Sequence, residues 1–452
     1  MKVSLKPSKV QKMLGLLDGA RVEFDSLYPG TSNQRQPVHT VYGGAHLYKA
    51  ETTAKLGKLA FKALTDYAPA ALVFADALGL RESSDLSESL CDTVYELVKE
   101  KLAREAVEDF RIDFEDGYGN RADSEEDGHA ESTAREVARA MKDGALPPFF
   151  GIRVKPLDAE CRWRSVRTLD IFLTTLMAEA GALPDNFVIT LPKVAIAEQV
   201  ACFVALLDEL ESSCRLPQGA LKIEIMIEQS QALFNHNGAL NIPALVNAAA
   251  GRCRGVHFGA FDYTAACDIV SSQQRLDHPA CDFARQVMLV SLAGTGIWLS
   301  DGATNVMPVG PHRVAKDSEL TAKQQDENKE VVQRAWKIAY QNNRRSLAAG
   351  FYQGWDLHPA QLIARYAACY SFFLEELEPA TGRLKAFIEK AAQANLVGAV
   401  FDDAATGQGL LNFFLRAISC GAISHDEIRA TGLSIEEIQS KSFRKILESR
   451  RT

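Results

Sequence analysis

The chain has 452 residues, of which 47% are hydrophobic and 24% charged, the proportions of an ordinary globular protein. Fifty basic against fifty-eight acidic residues leave a formal charge of −8, which argues against a dedicated binder of nucleic acid or of anionic membranes, since both need a basic surface. No apolar run reaches the ~18 residues of a membrane span, and the opening MKVSLKPSKVQKMLGLLDGARVEF lacks the apolar core and small-residue cleavage site of a signal peptide. Nine cysteines are scattered without a CxxC pair, so the expectation is free thiols in a reducing, cytoplasmic setting with no disulfide framework or zinc site.

Residues 1–37 read as a helical extension. From there, short apolar runs recur, most of them followed by stretches of helical periodicity. The runs are VHTVYG (38–43), FRIDFED (110–116), FFGIRVKPL (149–157), FVITLPKV (187–194), LKIEIMIE (221–228), GVHFGAFD (255–262), GIWLSDG (296–302) and FYQGWDLHP (351–359). Eight strands with helical connections predict a closed parallel (β/α)8, or TIM, barrel over 38–362. Residues 44–109 form an insertion long enough for two or three helices. Residues 363–452 form a helical C-terminal region that packs outside the barrel or caps a mouth.

In such barrels the chemistry sits at the C-terminal ends of the strands. Here those ends carry Asp113, Glu115 and Asp116, then Arg153, Lys193, Glu228, Asp262, Asp301, and Asp356 with His358. Glu228 and Asp262 end consecutive strands, and a spacing of ~4.8 Å between neighbours would let both carboxylates share one cation. Two oxygen ligands with open positions suit Mg²⁺, or Mn²⁺. The alternative reading of the same pair is solvated carboxylates, or a salt bridge to Arg153 or Lys193. Asp113 and Glu115 alternate onto one side, and Asp116 lies just beyond. Lys193 reads as a partner for a strand-end carboxylate, and His358 as a structural group of the eighth strand. His39 is placed where it could face the mouth. The acidic DSEEDG (123–128) lacks the twelfth-position glutamate of a calcium loop and reads as a solvated loop. There is no GxGxxG and no GxxxxGK[ST], so no dinucleotide or P-loop site is expected.

Six motifs carry a resemblance. IDFEDGYG resembles the D-L-E-D strand of citrate lyase beta subunits, GIRVKP their R-[VI]-N strand, and TLPKV their L-P-K-V strand. IMIEQS is similar to their L-I-E-T, FGAFDYTAACDI to F-G-x-E-D-x-A-A-D-L, and WDLHPAQL to C-I-H-P-x-Q-I. The ordered set spans residues 110–362, and the chain is identified as a divergent member of the HpcH/HpaI aldolase/citrate lyase superfamily, near the citrate lyase beta and malyl-CoA lyase branch. The resemblance implies Mg²⁺ held by Glu228 and Asp262, Arg153 beside the substrate carbonyl, and Glu115 and Asp116 supporting water on the metal. The segment VGAVFDDAATGQGLL (397–411) is similar to the malyl-CoA lyase segment that supplies an acid/base aspartate to a neighbouring subunit. Asp403 is the matching residue and Asp402 the near alternative, and two adjacent acids can also cap the following helix. The chain departs from the pattern at Lys155, where CoA lyases have Asn, and at Phe261, where they have Glu. No histidine occupies the place of Asp116, where HpaI-type aldolases have one.

The implied activity is a Mg²⁺-dependent carbon–carbon lyase acting on a small 2-oxo or 2-hydroxy acid or its CoA thioester. Its rivals are a class II pyruvate-type aldolase, a malate-synthase-like condensing enzyme and, from another class, a non-catalytic barrel scaffold. The resembling enzymes also imply a homo-oligomer, a trimer or larger.

Overall fold

The computed structural model describes residues 3–30, 34–83, 87–314, 319–389, 395–397, 400–402, 404–440 and 446. Strands β1 (His39–Gly44), β2 (Asp109–Asp113), β3 (Phe149–Arg153), β4 (Phe187–Leu191), β5 (Lys222–Ile227), β6 (Cys253–Phe258), β7 (Trp298–Ala303) and β8 (Gln353–Asp356) follow one another around a closed barrel. Every neighbouring pair is parallel, and β8 returns to β1 with His39 opposite Gly354. This is a TIM barrel.

The strands read as apolar runs because their outward faces are apolar. Phe110 and Ile112, Phe150 and Ile152, and Ile223, Ile225 and Ile227 are all buried and fall on one face of their strands by period-two alternation. Helices cover that face; Phe172 stacks on Phe187 at 6.3 Å, for example. The inward face is polar, although barrels of this class usually fill the lumen with bulky branched side chains. Arg111 of β2 reaches across to Glu224 of β5, donating at 2.8 and 3.2 Å, and pairs also with Asp109. Thr40 donates to Asp109 at 2.9 Å and Thr190 to Glu224 at 3.1 Å, while His257 Nε2 lies 3.3 Å from Glu224. Burial pushes the Asp109 carboxyl up. The same burial acts on Glu224, but Arg111 and His257 hold it well below the usual carboxylate range.

Helix α1 (Pro7–Leu27) buries none of its residues. Between β1 and β2 lie α2 (Thr52–Tyr67), α3 (Ala71–Leu78), α4 (Leu80–Ser83) and α5 (Glu88–Glu105). Later connections hold α6 (Asp123–Lys142), α7 (Arg162–Ala180), α8 (Ala197–Cys214), α9 (Ser230–Leu233), α10 (Ile242–Ala248), α11 (Ala260–Ala266), α12 (Pro279–Leu292) and α13 (Ala322–Ala348). After β8 come α14 (Leu362–Glu389), the antiparallel pair β9 (Asn395–Val397) and β10 (Val400–Asp402), then α15 (Ala404–Ser419), α16 (His425–Arg429) and α17 (Ile435–Gln439). Helix α14 runs beside α13 in the same direction, through Tyr340–Ser371 at 2.9 Å and Arg344–Glu375 at 2.5 Å. No described helix is long and apolar enough to cross a membrane, and all nine cysteines are unpaired.

Four expectations are corrected. Residues 123–128 are the first turns of α6, not a loop, and acids there complement the helix dipole. Glu126 among them is buried, accepting from Thr168 at 2.6 Å and pairing with Lys155 at 3.0 Å. His39 sits at the start of β1, away from the mouth, with Nε2 accepting from the Glu108 N–H at 3.0 Å and its ring against Tyr366. Asp301 faces the outer helices, where Arg285 and Ser346 bond it. Asp356 also faces outward, onto Arg365 at 3.0 Å.

Candidate active site

Arg153 ends β3 with its side chain in the lumen, fully buried. Its Nε and Nη2 donate to the two oxygens of Asp113 at 2.7 and 2.5 Å, a bidentate pair that fixes the guanidinium plane. Asp113 is held in turn by the N–H groups of Glu115 and Gly117 at 2.9 and 2.7 Å. Burial raises the Asp113 pKa, but Arg153 and these N–H groups more than offset it, leaving the carboxyl below its ordinary value. The third nitrogen, Nη1, lies 2.8 Å from Glu115 and 3.8 Å from Asp116. Tyr42 of β1 and Trp355 of β8 set their rings against the guanidinium at 4.9 and 5.4 Å and against each other at 4.4 Å. The Trp355 indole N–H is buried without a partner among the described residues.

Lys193, in the turn after β4, does two jobs. Its ammonium donates to Glu115 at 2.7 Å and stands 3.6 Å from Asp116 and 3.9 Å from Asp262. Its backbone is left-handed, at φ 52°, a conformation that costs a non-glycine residue about 1–2 kcal/mol. That geometry aims its N–H at Glu228 Oε1, 2.5 Å away.

Glu228 directly follows β5 and is buried. Asp262 is not at a strand end as expected: β6 stops at Phe258, and Asp262 lies in the first turn of α11 with its side chain 40% exposed. The two remain within electrostatic reach of each other. Burial raises the Glu228 pKa to about 8, helped by the negative charge of Glu115 and Asp262. Burial also raises Glu115. Gly259 makes room for this arrangement, since a Cβ there would sit 2.5 Å from Glu228 Cβ and 2.6 Å from its Oε2.

The charge balance of these residues leaves room for a divalent cation. Five carboxylates (Asp113, Glu115, Asp116, Glu228 and Asp262) share two cations, Arg153 and Lys193. Glu228 keeps one hydrogen bond among the described residues, although a carboxylate can accept about four. Among the described residues no group of three or more His, Cys, Asp or Glu side chains is arranged to hold a metal ion, so at most two protein carboxylates would bind one. A cation here would therefore keep most of its positions for water or substrate oxygens, the habit of Mg²⁺.

The site thus brings together Arg153, Glu115, Asp116, Glu228 and Asp262. Asp403 lies outside the described residues; Asp402 ends β10. The residues that sequence reasoning missed are Tyr42, Trp355, Met226, whose sulfur is 3.8 Å from Arg153, and Gly259. Strand phase was the available signal, because Tyr42 and Trp355 share the inward parity of Thr40 and Gln353. Lys155 turns away from the mouth centre, donating to the Phe114 carbonyl at 2.6 Å and pairing with Glu126.

A polar-lined TIM barrel with an acid-rich C-terminal mouth is the class that fold and site define. The chain belongs to the family described as domain of unknown function (DUF6986), whose model matches residues 17–446. No curated protein is matched. Among solved structures, a citrate lyase from Burkholderia xenovorans is similar over 89% of this chain and 100% of its own, with 16% identity and a TM-score of 0.56. The CitE protein of Mycobacterium tuberculosis, solved with magnesium, acetoacetate and coenzyme A, matches over 85% and 99% with 15% identity and a TM-score of 0.47. A Haloferax volcanii malate synthase matches over 75% and 87% with 15% identity and a TM-score of 0.41. The fold is therefore shared with citrate lyase.

Proposed function

We propose that this protein is a Mg²⁺-dependent carbon–carbon lyase that cleaves or forms a small 2-oxo or 2-hydroxy acid or its CoA thioester. The observation that carries the reading is the opposition, in one mouth, of an immobilised guanidinium at Arg153 and a buried carboxyl at Glu228 whose pKa burial and the acids Glu115 and Asp262 push up. Glu228 and Asp262 would hold Mg²⁺, with Mn²⁺ as a substitute, and the ion would supply Lewis-acid polarisation of a 2-oxo or 2-hydroxy oxygen.

The protein's own groups do the rest. Arg153 keeps its positive charge at every working pH, and Asp113 prevents it from swinging away. It stands where negative charge develops on a carbonyl oxygen as the bond breaks, and it needs no reorganisation at that moment. Lys193 neutralises Glu115, so that Glu115 orients Arg153 without cancelling it. The aromatic faces of Tyr42 and Trp355 exclude water from one side of the guanidinium, and the unspent Trp355 N–H offers a donor to a substrate oxygen. Asp403, or its neighbour Asp402, is proposed as the acid/base that moves one proton. Helix α14 descends away from the mouth before this segment, so the aspartate is proposed to serve a neighbouring subunit of a homo-oligomer. The shared fold of citrate lyase supports the class of chemistry, and the site residues support its application here.

Proton NMR of methyl exchange in D₂O with Mg²⁺ tests the proposal, comparing pyruvate with acetyl-CoA. Exchange into acetyl-CoA marks citrate- or malyl-lyase chemistry, and exchange into pyruvate marks an aldolase that forms the pyruvate enolate. Silence from both, together with no Mg²⁺ binding, sinks the lyase reading.

A further inference from the structure

At the end of the barrel opposite the acid cluster lies a cavity of about 240 Å³, walled by Leu289, Trp298 and the glycine loop at 294–296 and reached by Gln36, Tyr352 and Arg416. Its volume is below the range of drug-sized ligands, so it suits a small molecule. Arg416 comes from α15 and lies over the Tyr352 ring at 4.5 Å. Among the described residues its guanidinium makes one hydrogen bond, from Nη1 to Gln36 Oε1 at 2.6 Å. No carboxylate among the described residues pairs with it. The buried arginines Arg111, Arg153, Arg252, Arg285 and Arg365 each have such a partner. A guanidinium carries five N–H donors, so most of this one's capacity is unspent, and even the partial burial of a cation without a counter-charge is costly. Burial accordingly lowers the Arg416 pKa.

We propose that this cavity is a binding site for a small oxyanion, a carboxylate or phosphate group held by Arg416 with the Tyr352 hydroxyl beside it. Leu289, Leu292 and Trp298 shield one side of the cavity from water, which strengthens that charge pairing. Gln36, the group bonded to Arg416 among the described residues, opens a chain of hydrogen bonds into the barrel. Its Nε2 donates to Gln353 at 3.2 Å, Gln353 donates to Thr40 at 3.0 Å, and Thr40 donates to Asp109 of the Arg111–Glu224 network. An anion there thus meets the barrel interior from below, on residues distinct from those of the mouth, and the proposal stands whether or not the lyase reading does.

Isothermal titration of the full chain with inorganic phosphate and with succinate, at constant ionic strength in chloride, tests it in wild type, Arg416→Gln and Leu289→Phe. The second variant fills the cavity and leaves the cation in place. The expected result is a saturable site, one per chain, for at least one anion, weakened tenfold or more in both variants. Phosphate alone would identify a phosphate-bearing ligand, and succinate alone a carboxylate. Absence of saturable binding by either anion overturns the proposal, and so does binding that persists in both variants, which places the anion elsewhere. If Arg416→Gln does not fold, Leu289→Phe decides by the same criterion.

Discussion

Two layers of buried charge lie one above the other inside this barrel, built from the same residue types. In the lower layer, Arg111 bonds both Asp109 and Glu224, and Thr40, Thr190 and His257 complete the set. In the upper layer, Arg153 is just as firmly tied to Asp113, but Glu115, Asp116, Glu228 and Asp262 crowd around it, with Lys193 alone among the described residues to offset them. The lower layer spends its hydrogen-bonding capacity internally. The upper layer keeps negative charge in reserve and opens to solvent through Asp116 and Asp262, whose side chains are 59% and 40% exposed. Buried charge by itself therefore does not mark a functional site; charge left unneutralised beside an opening does.

That contrast makes stability and activity separable. Arg111→Ala leaves Glu224 and Asp109 buried without their cation, and breaking a buried pair this way costs about 3–5 kcal/mol; urea unfolding is expected to show that loss. Glu228→Gln, by contrast, replaces a carboxyl that is mostly protonated at pH 7 with a neutral group of the same shape, and is expected to leave metal-free stability at neutral pH nearly unchanged. Equal losses in the two variants would erase the distinction between the layers.

Arg153→Ala is expected to lower turnover by about 10²–10³-fold, the usual consequence of removing an oxyanion donor, while Mg²⁺ affinity changes little. Turnover that survives within tenfold would remove Arg153 from the proposed role.

A further effect follows from pH. Folding raises the Glu228 pKa from the ordinary 4.5 to about 8, so the folded state holds this proton more tightly than the unfolded chain does. Its contribution to metal-free stability is full below about pH 4.5, declines as pH rises, and is exhausted above about pH 8. Glu115, also raised, adds to the same trend. Asp113, lowered, acts with the opposite sign and only in acid, where stability is lost as pH falls through its folded value. Melting curves of metal-free wild type between pH 5 and 8 are expected to fall with pH, and those of Glu228→Gln to be flatter. Parallel curves would mean that Glu228 does not carry the charge strain.

The sequence made the barrel legible because the outward faces of its strands are continuous apolar runs, such as Ile223, Ile225 and Ile227. The positions of Arg153 and Glu228 were legible because each closes such a run. What spacing could not supply was phase. Asp301 and Asp356 also close apolar runs, yet they point outward to Arg285 and Arg365, partners that sit on helices 16 and 9 positions away in the chain. His39 misled in the same way, being one residue out of phase with Thr40 and Tyr42, which face the lumen. The polar lumen was hidden for a related reason. Arg111 and Glu224 are 113 residues apart, and only closure of the barrel brings them face to face. Asp262 was misplaced by a turn, since the apolar run through Phe261 continues past the strand into α11.

The central claim is that the surplus acid of the mouth holds a divalent cation, and calorimetric titration of Mg²⁺ in buffers of different ionisation enthalpy tests it most directly. One ion per chain is expected to bind at pH 7 with release of close to one proton, because Glu228 must give up its proton to act as a ligand. Proton release should vanish above about pH 9, and binding should be lost in both Glu228→Ala and Asp262→Ala. Mg²⁺ binding that is absent in wild type, or unchanged in those two variants, would contradict the account.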